Sequence, residues 1–236
     1  MSRSSQCVFR MLGAASFLIL FLLAIALAGV ADAETVSLRS GNAPIGSPDP
    51  QINMLLGSGG TPLSAASFTS ADFAAACSSR PAIVINPHPA WLQQLACDPQ
   101  AQWIGTDPFG TPATALYCQA FDVQTCCIQK AFMTFCWSGD DAIGDGIYGG
   151  PNLDGVYLNG VAVTPSINTG SYAVQTVAGP TDVAALIHCG TNYLQVYNRD
   201  AAFVVSGIIY SMTIDISDCT VPSEAQSFGA IKTLYR

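Results

Sequence analysis

A chain of 236 residues, half of them hydrophobic and only 10% charged, is long enough to bury a substantial core. Its net charge of −8, from eight basic and sixteen acidic residues, argues against a nucleic-acid role, because phosphate neutralisation needs Lys and Arg that are not here. The same surface repels anionic membranes.

The chain opens with Arg3 and Arg10, an apolar run from Met11 to Val30, and the small-residue pattern Ala31-Asp32-Ala33. That layout predicts a secretory signal peptide over residues 1–33; the run is also long enough for an uncleaved anchor. No later segment is apolar enough to span a bilayer. Cleavage after Ala33 leaves 203 residues with six basic and fifteen acidic side chains, a net charge of −9, read as one domain over 34–236.

Eight cysteines then remain: Cys77, Cys97, Cys118, Cys126, Cys127, Cys136, Cys189 and Cys219. An even number in an exported chain predicts four disulfides. Metal binding is the competing reading, but no CxxC pair is present, and His88 and His188 are not at ligand spacing from a cysteine cluster. Adjacent Cys126 and Cys127 are expected to take different partners, since a bond between neighbours strains the peptide. No Asn-x-Ser/Thr acceptor occurs.

From Glu34 to about Arg80, Gly, Ser, Pro and Ala dominate, which predicts a loosely structured leading segment with one or two edge strands. "TSADFAAAC", Thr69 to Cys77, has room for one helical turn. "PAIVINP", "ALYCQAFDV", "AFMTFCWS", "GVYLNGVAV", "SYAVQTVAG", "NYLQVYNR" and "AFVVSGIIYSMTIDI" follow as short runs rich in β-branched and aromatic residues, bounded by turn formers. "TDVAALIH" is a short helix or turn. The series predicts an all-β, disulfide-stabilised sandwich of jelly-roll type with at most one or two short helices. The strands flanking "QTCCIQK" set Cys118 opposite Cys136, which admits a cross-strand disulfide. In "GVYLNGVAV", Val156, Leu158 and Val161 share the core side if Asn159-Gly160 makes a turn or bulge.

Three segments in order resemble a known family. They are "VINPHPAWLQQLACDPQAQWIGTDPFG", "FCWSGDDAIGD…GVYLNG" and "CGTNYLQVYNRDAAFVVSGIIYSMTI", with "SGNAPIGSPDPQI" ahead of them. Together they look like the galactose-binding-like jelly-roll domains of exported bacterial proteins, relatives of carbohydrate-binding modules. The resemblance implies glycan binding or an accessory or adhesion role. The cysteine content and the "AIGDGIYGGPNLDG" insertion depart from that pattern.

The stretch "CWSGDDAIGDGIYGGPNLDGVYLNG" concentrates the candidate chemistry. Asp140, Asp141, Asp145 and Asp154 offer oxygen ligands for a structural calcium, though not at EF-hand spacing. The alternative is an Asx-turn at a strand end, capping exposed backbone N–H groups. A catalytic carboxyl pair would have to be two aspartates, because the only glutamates are Glu34 and Glu224. No G-x-S-x-G elbow is present. Glycan recognition needs aromatic faces beside polar groups, and the candidates are Trp91, Tyr148 and Tyr157 with Asp140, Asp141 and Asn159. Trp103 and Trp137 read as core. The expected function is a secreted, non-catalytic carbohydrate-binding or cell-surface adhesion module with a glycan or wall polysaccharide as partner. The alternatives are a self-assembling wall or matrix protein and, less favoured, an aspartate-dependent hydrolase.

Overall fold

Alternation decides the longest strands. In β6 (Ile128–Asp140), Ala131, Met133, Phe135 and Trp137 are buried in the central core, and β12 (Gly207–Asp218) adds Ile208, Tyr210, Met212, Ile214 and Ile216 to it. The two strands run antiparallel from Asp140↔Gly207 to Ile128↔Asp218. The computed structural model describes residues 33–57, 68–202 and 204–219; the segment expected to be a signal peptide, 1–33, lies outside them except for Ala33.

The other strands are β1 (Ala33–Arg39), β2 (Pro48–Leu56), β3 (Arg80–Val84), β4 (Ile104–Gly105), β5 (Ala115–Val123), β7 (Ala142–Ile143), β8 (Val156–Leu158), β9 (Val161–Ala162), β10 (Thr176–Asp182) and β11 (Gly190–Arg199). One half of the sheet holds β10, β6, β12 and β1; the other runs β3-β2-β5-β11-β8-β9. β4 joins them by pairing with both β12 and β3. All pairs are antiparallel, as in sandwiches built from hairpins and Greek-key connections. Core side chains from both halves meet in one cluster, and Tyr210 Oη donates to Gln119 Oε1 at 3.0 Å across the halves. The fold is all-β and disulfide-stabilised, with one short α-helix, α1 (Ser70–Ala76), and a 3-10 turn at Ala184–Leu186 among the described residues.

Both faces of the second half are covered. On its outer face Leu116, Cys118, Tyr157 and Tyr197 pack against Phe73 and Ala76 of α1 and Phe68 just ahead of it. α1 is too short to persist alone. Thr69 caps it in a box with Asp72, and the Cys77–Cys118 disulfide ties its end to β5. A second bond joins Cys126 to Cys189, and Cys127 and Cys219 are disulfide-bonded as well. Cys126 and Cys127 are therefore not bonded to each other, as expected.

Several expectations change. Cys97 and Cys136 are free thiols, so six of the expected eight cysteines are bonded and not all of them. Cys118 pairs with Cys77, not with Cys136, because β5 and β6 are not neighbours: "QTCCIQK" carries the chain from one half of the sheet to the other, and the core lies between. Of the one or two edge strands expected in the leading segment, β1 is one, pairing only with β12, whereas β2 is an interior strand between β3 and β5. It accommodates Pro50 where the pairing with β3 lapses between Pro48 and Asn53, and buried Asp49 accepts the N–H groups of Gly41, Asn42 and Gln51 there. Asn159 and Gly160, both at positive φ, make the expected turn between β8 and β9. Val156 and Leu158 reach the core, whereas Val161, on the edge strand, stays 53% exposed. Among the described residues no helix is long and apolar enough to cross a membrane.

Candidate functional site

The ends of β6 and β11 and the start of β12 converge: Asp140 pairs with Gly207, and Asp141 N donates to Arg199 O at 3.1 Å. Three segments leave from this end, at 106–114, at 141–155, which includes β7, and at 200–206. Asp141 Oδ2 accepts from Ala201 N and Ala202 N at 2.7 and 2.6 Å, and Ser206 N donates to Gly110 O at 2.9 Å. The 200–206 loop is thereby tied to both of the others.

Asp140 is buried beneath Trp91, whose Nε1 donates to its Oδ2 at 2.8 Å. Trp91 is held by its own packing: it lies on Trp103 with ring centroids 4.3 Å apart, in a cluster with Ile85, Leu95, Ala101 and Ile209. Gly207 permits that approach, since a Cβ there would stand 3.0 Å from the Trp91 ring. Burial pushes the Asp140 carboxyl up to about 7, and the adjacent Asp141 carboxyl adds to the shift by hydrogen bond and charge; the Trp91 indole opposes it, and Asp200 adds a further negative charge. Asp140 therefore holds its proton up to near-neutral pH.

The neighbouring acid has a different environment. Asp145 is fully buried and accepts from Tyr197 Oη at 2.7 Å, Arg199 NH1 at 3.0 Å and Asn152 N at 3.2 Å. Arg199 also donates to Gly149 O at 3.0 Å, and its guanidinium stands 5.1 Å from the centre of the Tyr148 ring. Tyr148 is 46% exposed, and its phenol is pushed up by partial burial and by Asp141 and Asp140, against Arg199. The loop thus presents one ring, backed by a cation that is itself pinned to a buried carboxylate.

The structure brings Trp91, Asp140, Asp141 and Tyr148 to one end of the sandwich. Tyr157 lies elsewhere: it is buried 4.6 Å from the Phe73 ring, donates to Asp154 O at 2.8 Å, and its phenol is pushed by burial up to about 12. Asn159 is occupied in the β8–β9 turn, donating to Leu186 O and Asn192 Oδ1 and accepting from Tyr193 N. It borders a groove of about 380 Å³ between α1 and the outer sheet face, along with Phe73, Tyr193 and Gln195. No three of the Asp140, Asp141, Asp145 and Asp154 carboxylates converge within 4.8 Å, and Asp145 already balances Arg199. The set as arranged is a capping and ion-pair network more than a cation cage, whose oxygens would have to surround one point.

Sequence reasoning passed over Arg199, Asp200, Phe109 and Val204. Phe109 is 88% exposed at the tip of a turn in which Asp107 Oδ1 accepts from Phe109 N and Thr111 N. The signal for it was present in "TDPFGTP", an aromatic residue set among turn formers. Arg199 carried a signal as well, being one of few cations in an acidic chain. No family model, no curated protein and no solved structure matches this chain.

Proposed function

We propose that this is a secreted, non-catalytic glycan-binding or cell-surface adhesion module whose ligand surface is the loop end carrying Tyr148 and the Asp140–Asp141 pair. One observation carries the reading: an exposed aromatic ring, oriented by Arg199, stands next to carboxyls that accept hydrogen bonds. Sugars are recognised in this way, C–H faces against a ring and hydroxyls to acceptors beside it. Phe109, on the adjoining loop, offers a second exposed ring. The galactose-binding-like resemblance implies glycan binding, and the disulfides suit an oxidising, extracellular setting.

The test is a glycan-array screen of the folded, oxidised protein, with calcium and again with a chelator. Selective binding supports the module, and its loss on chelation would add a metal to the acidic loop. Silence in both conditions, together with concentration-dependent oligomers, would replace it with the self-assembling matrix role.

A second reading, aspartate-dependent hydrolysis, is favoured by the Asp140 carboxyl alone, since an acid raised to about 7 can deliver a proton at neutral pH. It requires turnover of a glycan or ester that both Asp140→Asn and Asp141→Asn abolish.

A further inference from the structure

Two cysteines of the described chain, exposed Cys97 and buried Cys136, are free thiols, and Cys97 is a side-chain neighbour of Cys136. Cys136 lies on β6 with Val177 of β10 as its partner on one side and Ser211 of β12 on the other. The segment carrying Cys97 is anchored to both of those neighbours. Ala96 N and Cys97 N donate to Oε1 of Gln175, which immediately precedes β10, at 2.6 and 3.4 Å. Ser211 Oγ donates to Asp98 Oδ2 at 3.1 Å, and Arg39 Nε pairs with the same oxygen at 3.0 Å. Residues 96–98 therefore straddle the position of Cys136, and the two thiols are within hydrogen-bonding reach.

We propose that Cys97 and Cys136 are a thiol–disulfide exchange site, closing into a fourth, reversible disulfide that clamps the Trp91-bearing segment to β6. The inference stands independently of the glycan reading. The co-reactant is a low-molecular-weight disulfide, RSSR. The Cys97 thiolate attacks one sulfur of RSSR, forming Cys97–S–SR and releasing RS⁻. The Cys136 sulfur, giving up its proton to the released thiolate, then attacks the Cys97 sulfur and expels the second RS⁻. Two protein thiols are oxidised by two electrons, and RSSR is reduced to two RSH. Cys97 is the point of entry because it faces solvent. The Cys136 thiol, pushed up to about 12 by burial and by its Cys97 neighbour, makes the second step the slower one.

The experiment incubates the native protein with oxidised glutathione, alkylates remaining thiols, and maps linkages by mass spectrometry. A second arm titrates the product with a phosphine reductant. The expected result is a Cys97–Cys136-linked peptide, complete loss of alkylation at both positions, and release of this pair at lower reductant than the other bonds. In Cys97→Ser, which changes an exposed residue, Cys136 should stay reduced and resist alkylation until the protein is denatured. Stable glutathionylation of Cys97 with Cys136 still a thiol would overturn the proposal. So would a Cys97–Cys136 bond that opens only together with the other disulfides.

Discussion

Asp140 has the most consequential environment of any single residue. Its carboxyl titrates near 7 in the fold, well above an ordinary aspartate, so between about pH 4 and 7 the folded state holds a proton that the unfolded chain has released. Stability therefore falls as pH rises through that window, the opposite of a salt-bridged aspartate. Asp140→Asn keeps an acceptor for the Trp91 indole while removing the charge. It should flatten the pH dependence and stabilise the protein at pH 8 by about 1 kcal/mol, read from urea midpoints at pH 5 and pH 8. Trp91→Phe deletes the one donor that favours the charged form, so the Asp140 midpoint should move further up, as followed by carboxyl ¹³C NMR. Tyr148→Ala removes an exposed ring and should change stability by less than about 0.5 kcal/mol.

At the scale of elements, α1 shows how a weak helix is held in place. Its capping box, the Phe73 ring against the sheet and the Cys77–Cys118 bond at its end hold these seven residues. Thr69→Ala should cost about 1 kcal/mol through the lost cap. Replacing Cys77 and Cys118 together by Ser should cost about 2–4 kcal/mol, with α1 the first segment to lose amide protection in hydrogen exchange. This region also explains where the sequence could be read and where it could not. Alternation in β6 and β12 is plain because one face of each is core, and the Asn159-Gly160 turn is announced by its dipeptide. Tyr157 misleads because its strand is buried on both faces, so an aromatic residue opposite Val156 and Leu158 looks outward when α1 in fact covers it. β2 was obscured by Pro48 and Pro50, residues that ordinarily mark edges.

At the scale of the whole molecule, the all-β class, the short helices and the abundance of disulfides were legible, because composition and turn spacing report on them directly. Connectivity was not: the partners Cys77–Cys118 and Cys126–Cys189 lie 41 and 63 residues apart, and only the curl of the sheet brings them together. The candidate site was half legible. Asp140, Asp141 and Tyr148 share one loop region, whereas Trp91 reaches Asp140 from 49 residues away through a packing arrangement that no local pattern encodes. Bonds that close such long stretches constrain the unfolded chain strongly. Full reduction should lower the thermal midpoint by on the order of 10 °C or more, seen by scanning calorimetry with and without reductant.

The most direct single measurement is the affinity of the best array glycan for the intact protein and for Tyr148→Ala and Asp141→Asn, with near-UV circular dichroism confirming that each variant is folded. Binding at the loop end requires both substitutions to weaken affinity by at least about tenfold, the loss of a ring contact or a charge-assisted hydrogen bond. Unchanged affinity in both folded variants would contradict that placement and send the search to the groove beside α1.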